Sequence, residues 1–446
     1  MSSSIQLISS DAAPSVIKKE LEASICGLWG VGCRAVRRVS ETPQQRHNTP
    51  AFDDGTSMTD SPASEPDDPF SEIRPYSNLD APEVLRRLSR DTELAKTIAL
   101  WRLPRLSALW PTLARQMGKV WLRLAAKRLR TVEDLQNLIA PNLSRMIKKT
   151  SVFTVSGIDK LDLRPARVYL GNHRDIVMDP AYANYALHRA GANTLAIAIG
   201  DNLLSKPWVA DLLRLNKSFV VKRNVSGPRA LLAATKLLSE YIRDSVSADR
   251  DPIWIAHREG RAKDGRDLTE PAVIKMLTLS RERGEAPEAV LSDLNIVPLV
   301  ISYELDPCDA LKAAELAAGE GYVKAEFEDV SSIARGITGD KGCVHLHFGE
   351  PLPADLSVEE VVTALDQQMA RHYRLYQTNR WAWEWLHGES VPVALAFHEG
   401  SVTEQSFRAR IDSVPGEHRQ WLLTMYANPV SRQLALDITD KDRSCD

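Results

Sequence analysis

A histidine followed at short spacing by two aspartates is the first group of residues in this chain that could carry out chemistry. His173 directly follows an apolar run at 167–172 that predicts a β-strand, and Asp175 and Asp179 come two and six positions after it. A histidine beside a carboxylate can act as a general base, because the acid fixes the ring tautomer and stabilises the imidazolium. The structural alternative is a strand-end histidine bonded to the backbone, with Asp175 as a helix N-cap.

Two segments further along the chain supply positive charge that suits an anion. The strand-like run at 218–223 ends in Lys222 and Arg223, and the segment HREGRAKDGRD at 257–267 contains four cations around two glycines. Glycine lets backbone N–H groups approach a phosphate, and arginine can bind phosphate oxygens in pairs. The second segment therefore predicts a phosphate-binding loop, with a solvated charged turn as the alternative. The pattern GxxxxGK[ST] of nucleotide triphosphate binding is absent from the sequence.

The residue types that hold metals do not form a predicted site. His345 and His347, in the run CVHLHF at 343–348, would face one side of a strand, but a third ligand at useful spacing is missing. Five cysteines are scattered and form no CxxC pair, which favours a reducing compartment and gives no zinc site. We therefore expect no metal, and a structural role for the two histidines.

A strongly basic segment precedes these motifs. Residues 96–131 contain nine Lys or Arg and no Asp or Glu, and Pro104 and Pro111 divide the segment so that a helix is predicted at about 112–130. Cations at i, i+4 spacing beside an apolar row are typical of a helix that lies on an anionic membrane surface. A helix packed on its own domain is an equal alternative, since both are amphipathic. The predicted membrane-binding residues are Arg115, Lys119, Arg123, Lys127 and Trp121, and the apolar row is Leu113, Met117, Val120 and Leu124.

These residues must be positioned by strands and helices that alternate from about residue 150 onward. The pattern predicts an α/β fold with a central mixed sheet flanked by helices, preceded by a helical N-terminal region and followed by a helical tail. In such sheets the loops after the strands carry the chemistry. The predicted strands are 153–157, 167–172, 194–200, 218–223, 253–257, 296–304 and 343–348, and the predicted helices are 177–189, 203–215, 227–245 and 270–283.

Length and composition indicate how the 446-residue chain is organised. Its 43% hydrophobic residues suffice for a full core, and its net charge of −3 gives no nucleic-acid signature, so no nucleic-acid partner is expected. Without a secretory signal or a run of about 18–20 apolar residues, we expect a cytoplasmic protein, peripheral on the cytoplasmic face of the membrane. The predicted divisions are 1–73 as a largely disordered leader, 74–150 as a helical, basic membrane-associating region, 151–355 as the α/β catalytic domain and 356–446 as a helical C-terminal extension.

The histidine–aspartate pair resembles the first of four motifs in the glycerol-3-phosphate and lysophosphatidate acyltransferase family. That motif has four residues between its His and its Asp, whereas this sequence has five between His173 and Asp179. The resemblance implies that His173 is the general base, and Asp179 rather than Asp175 is predicted as its partner. A turn absorbs an inserted residue better than a helix does, and Asp175 then has another role as the cap of the next helix.

Three further blocks follow in the order of this family, so that the resemblance covers about residues 167–305. In the fourth block, Pro298 predicts a buried edge strand, with a core strand as the alternative. The resemblance is closer to the glycerol-3-phosphate branch than to the lysophosphatidate branch. The three blocks are GDNLL (200–204) with FVVKR (219–223), EGR (259–261) and IVPLVISYE (296–304). The residues implied to bind the substrate phosphate are Arg223, Lys222, Glu259, Gly260 and Arg261.

The resemblance implies an O-acyltransferase of glycerophospholipid synthesis that needs no covalent intermediate, metal or tightly bound cofactor. A fatty acyl group would move from an acyl-carrier-protein (acyl-ACP) or acyl-CoA thioester to a hydroxyl of glycerol-3-phosphate or 1-acyl-glycerol-3-phosphate. An anionic membrane surface is a further expected partner. Two alternatives stay open: acylation of another lyso-lipid such as an aminolipid, and an inactive relative that only binds lipid or acyl-carrier protein.

Overall fold

The computed structural model describes residues 68–204, 206–325, 328–392 and 395–443. Residues 1–67, which include most of the predicted leader, lie outside these ranges. The last residues assigned to that leader belong to the folded part of the chain. Ile73 is 2% exposed, and its carbonyl oxygen accepts a hydrogen bond of 2.9 Å from the N–H of Val220. This segment therefore packs beside a strand of the sheet.

A seven-stranded mixed sheet forms the centre of the fold, and each of the seven predicted strands is present. The strands are β1 (Val152–Ser156), β2 (Val168–Gly171), β3 (Ala196–Gly200), β4 (Ser218–Val221), β5 (Ile253–Ala256), β6 (Val297–Tyr303) and β7 (Cys343–Phe348). They lie in the order β1-β7-β6-β2-β5-β3-β4, in which β6 and β7 pair antiparallel and the other neighbours pair parallel.

Helices precede, separate and follow these strands, so the predicted α/β fold with helical regions at both ends is confirmed. Before the sheet lie α1 (Ala81–Leu88), α2 (Thr92–Arg102), α3 (Pro104–Leu109), α4 (Pro111–Arg128) and α5 (Val132–Thr150). Between the strands lie α6 (Met178–Arg189), α7 (Pro207–Leu215), α8 (Pro228–Ser247), α9 (Pro271–Leu277), α10 (Pro287–Asp293), α11 (Asp309–Ala318) and α12 (Glu328–Thr338). After the sheet lie α13 (Val358–His372), α14 (Gln377–His387), α15 (Glu404–Asp412) and α16 (Gly416–Arg443), with a small pair of strands, β8 (Leu375–Tyr376) and β9 (Phe397–His398).

Most predicted helices are present in the structure, and the helices between the strands that were not predicted are short. The predicted helix at 112–130 corresponds to α4, and the four predicted between the strands correspond to α6, α7, α8 and α9. The sequence analysis predicts no helix at α10, α11 or α12. Each of these has 7 to 11 residues, too few for a long hydrophobic period to be recognised.

The fourth block forms an interior strand, so the predicted edge position of Pro298 is wrong. All seven residues of β6 are buried between β7 and β2. The pairing of β6 with β7 begins at Leu299, which lies opposite Phe348. Pro298 precedes that first pair, so its missing N–H removes no bond from the antiparallel ladder.

Alternate residues of the central strands pack into two hydrophobic layers, one on each face of the sheet. Tyr169 and Tyr303 belong to the layer that includes α6, and we call this side the α6 face. Leu170 and Val300 belong to the layer that includes α13, α14 and α16, and we call this side the α13 face. The helices after the sheet thus share one hydrophobic core with it.

The N-terminal helices form a third hydrophobic cluster that also includes Trp208 and Leu212 of α7. α4 approaches α2 closely because Gly118 has no side chain; an added Cβ would lie 2.3 Å from the carbonyl oxygen of Ala95. Within the described ranges, no helix has the length and apolar character needed to cross a membrane.

Candidate active site

The histidine and the second aspartate of the first motif are in contact at the carboxyl end of β2. His173 lies two residues after β2, and Asp179 is the second residue of α6. The Nδ1 atom of His173 is 2.9 Å from Oδ2 of Asp179. The His173 side chain is 14% exposed and the Asp179 side chain 2%. Solvent therefore reaches the histidine but hardly reaches its carboxylate partner.

The turn before α6 accommodates the additional residue of this motif. Oδ2 of Asp179 accepts hydrogen bonds from the backbone N–H groups of Arg174 (2.6 Å) and Asp175 (2.8 Å), so the chain folds around this carboxylate. Oδ1 of Asp175 accepts the N–H groups of Val177 (3.0 Å) and Met178 (2.8 Å), where α6 begins. The two aspartates thus have different structural positions: Asp175 binds the first donors of the helix, and Asp179 closes the turn. Their roles in catalysis stay predictions.

A tyrosine of β6 occupies the other oxygen of the Asp179 carboxylate. The hydroxyl of Tyr303 donates to Oδ1 of Asp179 over 2.6 Å. Burial, together with the nearby Asp179, raises the pKa of Tyr303 well above its ordinary value, so the hydroxyl keeps its proton. Because an ionised carboxylate only accepts hydrogen bonds, Nδ1 of His173 carries the proton in its contact with Asp179. Nε2 of His173 then holds a lone pair that can accept a proton from a hydroxyl.

A buried ion pair connects this turn to the loop after β5. The guanidinium of Arg174 lies 2.6 Å from the carboxylate of Asp267, and their side chains are 6% and 5% exposed. Nδ2 of Asn172 donates to the same carboxylate over 3.1 Å. Burial alone would raise the pKa of Asp267, but the charge of Arg174 outweighs it and the pKa is lowered. The pair therefore stays ionised at neutral pH and fixes the residues on both sides of His173.

The second and third blocks bring Arg223 and Arg261 to this end of the sheet. A guanidinium nitrogen of Arg223 lies 4.0 Å from the carboxylate of Glu259, and both side chains are exposed. The N–H of Ala262, directly after Arg261, donates to the carbonyl oxygen of His173 over 2.7 Å. Arg223 thus contacts the loop after β5 through Glu259, and the same loop is bonded to the His173 segment next to Arg261. Both cations could meet a substrate phosphate at this end of the sheet.

Two other residues predicted to bind phosphate have different surroundings. The ammonium of Lys222, just after the end of β4, pairs with Glu72. Gly260 has a φ of +71°, a conformation that L side chains rarely adopt, and the space beside it is open. Glu259 carries a negative charge, so its contact with Arg223 positions that cation and does not itself attract a phosphate.

Residues from distant parts of the chain hold the site, and sequence reasoning missed most of them. The ammonium of Lys312 donates to the carbonyl oxygen of Arg174 over 2.8 Å. Gly336 of α12 packs against Asp175, where an added Cβ would lie 2.0 Å from a carboxylate oxygen. Neither residue has a local spacing signal in the sequence. Tyr303 did have a local signal, since it lies with Glu304 at the end of the predicted strand at 296–304.

The two histidines of β7 bind hydroxyl groups of β1. The ring nitrogens of His345 lie 2.8 Å from the hydroxyls of Thr154 and Ser156, and Nδ1 of His347 lies 2.8 Å from the same hydroxyl of Ser156. In the part of the chain that the structure describes, no three His, Cys, Asp or Glu side chains are grouped to hold a metal ion.

Comparisons with solved structures give likenesses at low identity, of which two are described. PlsC, the 1-acyl-sn-glycerophosphate acyltransferase of Thermotoga maritima, is 14% identical with a TM-score of 0.34, over 63% of this chain and 93% of that chain. FtsY of Mycoplasma mycoides is 12% identical with a TM-score of 0.18, over 66% of this chain and 95% of that chain. No curated protein sequence gives a significant match to the chain.

A family match covers the segment that holds the histidine–aspartate pair. The model of the family described as Acyltransferase matches residues 152–302, from the start of β1 to the penultimate residue of β6. This range contains the first three blocks and almost all of the fourth. Residues 152–302, about a third of the chain, are thus similar to the acyltransferase family.

Proposed function

We propose that this protein transfers a fatty acyl group from an acyl-ACP or acyl-CoA thioester to a hydroxyl of glycerol-3-phosphate or 1-acyl-glycerol-3-phosphate. The observation that carries the proposal is the contact of 2.9 Å between His173 and Asp179. The family motif has one residue fewer between its His and its Asp. If that additional residue had kept His173 and Asp179 apart, an inactive relative would have been favoured. The turn around the Asp179 carboxylate supports an intact pair instead.

In the proposed reaction, Nε2 of His173 takes the proton of the acceptor hydroxyl as its oxygen attacks the thioester carbonyl carbon. A carbon–oxygen bond forms, the carbon–sulfur bond breaks, and the imidazolium returns the proton to the departing thiolate. The buried negative charge of Asp179 stabilises the imidazolium while it exists. Since the hydroxyl attacks directly, no acyl-enzyme intermediate is required.

We expect purified protein to acylate phosphate-bearing glycerol acceptors at least about 10-fold faster than acceptors without phosphate. The reason is that a hydrogen bond to a charged group contributes about 1.5–3 kcal/mol, and Arg223 and Arg261 lie at the same end of the sheet as His173. Initial rates with acyl-ACP and acyl-CoA, across a panel of acceptors, measure this preference. The Arg223→Gln variant should reduce the preference. Lys222→Gln is the matched control, because Lys222 pairs with Glu72.

Other outcomes of this assay correspond to the alternatives. Faster acylation of a lyso-aminolipid than of either glycerol phosphate would replace the proposed acceptor class. Absence of turnover with every donor and acceptor, in protein that melts cooperatively, would mean an inactive relative that binds lipid or acyl-carrier protein.

We further propose that residues 74–150 attach the protein peripherally to an anionic membrane through α4. The helix packs on its neighbours with a narrow face of Ala114, Gly118 and Leu122. Its apolar row remains in solvent, which supports membrane contact over packing within the protein. That row consists of Leu113, Met117, Val120 and Leu124, all between 45% and 54% exposed, and continues into Leu109 and Trp110.

The predicted membrane-binding cations of α4 differ in exposure. Arg123 and Lys127 are exposed, and Arg115 and Lys119 are half-buried. Trp121 is placed differently: it is half-buried under the guanidinium of Arg102, which lies 4.7 Å from the ring centroid. Trp121 therefore contributes to the packing of α4, and the exposed aromatic residue of this surface is Trp110.

Replacing the four apolar residues of this row with serine should release the protein from anionic vesicles. Neutralising the four cations with glutamine should also weaken binding, by about 1 kcal/mol for each residue near the surface, and added salt should mimic that effect. Vesicle sedimentation measures both effects. A matched control replaces Leu232 and Val323, which are exposed apolar residues outside α4, with serine. Equal sedimentation of the α4 variants and this control would contradict the proposal.

A further inference from the structure

A basic cleft lies beside β1 and β7, where the chain leaves α13. Its volume is about 320 Å³ and it opens to solvent. Histidines and arginines dominate its wall, and among the described lining residues none is Asp or Glu. The basic lining residues are His345, His347, His372, His398, Arg371 and Arg374.

This cleft lies on the opposite face of the sheet from the histidine–aspartate pair. Tyr303 of β6 reaches Asp179 on the α6 face, so its neighbour Ser302 faces the other side. His345 of β7 pairs with Ser302 across the ladder and shares that side. The cleft is therefore a separate place from the residues proposed for acyl transfer.

Hydrogen bonds hold the wall of the cleft in place. The N–H of Arg374 donates to the hydroxyl of Ser302 over 2.8 Å. The side-chain amide of Gln433 donates to the carbonyl oxygens of Ala370 (2.9 Å) and Tyr373 (2.7 Å), which fixes the end of α13. A site whose walls are already ordered loses little conformational entropy when a ligand binds.

The cleft combines cationic groups with imidazoles that are neutral at pH 7. The rings of His347 and His372 stack with centroids 4.0 Å apart and planes at 15°. Burial, followed by nearby cationic groups, lowers the pKa of His345 to about 3 and that of His347 to about 4. Among the described residues, no carboxylate lies within ion-pair distance of Arg374. The described lining residues thus offer an anion the guanidinium of Arg374 and contribute no carboxylate of their own.

We propose that this cleft binds a small molecule through a phosphomonoester dianion. Three phosphate oxygens and nearly two negative charges match a basic opening that includes the Arg374 guanidinium, which can bind two oxygens, and the imidazoles of His347, His372 and His398. A single carboxylate offers two oxygens and one charge, and would leave more of these donors unpaired. The volume of the cleft corresponds to the lower end of the range of small-molecule sites, about 300–1,000 Å³.

When such an anion binds, the imidazoles of the cleft are expected to take up protons. The negative charge raises the pKa of imidazoles whose pKa is depressed in the free protein, so protons bind in the pH interval between the two values. The groups that act on these imidazoles from the surrounding elements include one carboxylate, Glu350, which is outweighed by cations. Among the described residues, these groups are His345, His347, His372, His398, Lys160, Glu350, Arg371 and Arg374.

The cleft also contacts the segment next to His173. The ring of Tyr373, a lining residue, lies 5.2 Å from the guanidinium carbon of Arg174. Arg174 directly follows His173 and is fixed by Asp267 on its other side. A ligand in the cleft would therefore be separated by the Tyr373 side chain from the buried ion pair that positions the histidine.

Isothermal titration calorimetry of the full chain tests the proposal with inorganic phosphate, glycerol-3-phosphate and adenosine 3′,5′-bisphosphate. The background is Arg223→Gln with Arg261→Gln, so that phosphate binding at the proposed acceptor cations is removed. At least one probe should bind this background, with proton uptake detected by comparing two buffers of different ionisation enthalpy. Adding Arg374→Gln and His347→Gln should weaken binding at least about 10-fold.

Matched variants separate the cleft from general charge and from unfolding. Arg283→Gln removes an exposed arginine elsewhere and should leave affinity unchanged. Arg374→Lys keeps the charge and should retain part of the affinity, and Arg374→Gln alone serves if the double change unfolds the protein. The tightest probe indicates the source, whether free phosphate, a glycerol phosphate headgroup or a coenzyme phosphate. Equal affinity of cleft variants and background for every probe, or no binding of any probe to the background, would overturn the proposal.

Discussion

Replacing His173 with alanine is expected to lower kcat by about 10²- to 10⁴-fold, the usual loss when a general base is removed. The expected loss corresponds to about 3–5 kcal/mol of activation free energy. His173 is the one member of the pair that solvent reaches, and its Nε2 atom faces no partner among the described residues. We therefore expect the loss of activity to come from proton transfer at this ring.

The measurement is the initial rate of acyl transfer at saturating acceptor, together with the melting temperature of the variant. A matched control is His188→Ala, because this histidine is exposed at the last turn of α6 and lies outside the site. A His173→Ala protein that melts normally and keeps near-normal turnover would remove His173 from the role of base.

Replacing Asp179 with asparagine is expected to lower kcat by about 10²- to 10³-fold while the protein still folds. Two backbone N–H groups point at Oδ2, so the amide oxygen of the asparagine should take that position and keep its contact with His173. The amide nitrogen would then face the hydroxyl of Tyr303, whose oxygen can accept a hydrogen bond. The ring keeps its tautomer, and what is lost is the negative charge that stabilises the imidazolium.

The size of that loss follows from the charge alone. Breaking a buried charge pair by removing one charge typically costs about 3–5 kcal/mol, and each 1.36 kcal/mol changes a rate about tenfold. Because the Asp179 side chain is only 2% exposed, solvent screens its attraction to the imidazolium little.

Asp175→Asn is the matched comparison for the second aspartate. Its carboxylate oxygen accepts the first N–H groups of α6, and an asparagine oxygen can do the same at little cost. Burial, followed by the nearby Asp179, raises the pKa of Asp175, so a neutral side chain suits this position. We expect this variant to stay active and nearly as stable as the native protein. An inactive Asp175→Asn variant beside an active Asp179→Asn variant would transfer the partner role to Asp175.

The catalytic candidates and the sheet that carries them could be predicted from the sequence, because both depend on local patterns. Strand-forming runs alternate with helical ones over short distances, and His173 sits at the end of one such run with its aspartates a few residues away. The choice of Asp179 as the closer partner also followed from local reasoning about where a turn can absorb a residue. The contact of 2.9 Å agrees with that choice.

The surroundings of the site could not be predicted in this way. Tyr303 and Asp267 contact the turn from 124 and 93 positions away along the chain, and only the pairing of strands and the path of loops brings them there. Lys222 and Arg223 are adjacent in sequence and equal in charge, yet the fold places them beside different partners, Glu72 and Glu259.

The amphipathic helix α4 illustrates the same limit. Its apolar row is equally suited to a protein core and to a membrane surface, because amphipathicity specifies that a face is apolar without specifying what covers it. Packing decides only which face α4 turns to its neighbours: Gly118 lets α2 approach a narrow face of small residues, and the apolar row stays in solvent. The sequence by itself thus determined which residues could do chemistry and which elements carry them. The tertiary structure decided which of them meet, because burial and long-range contact depend on how distant segments pack.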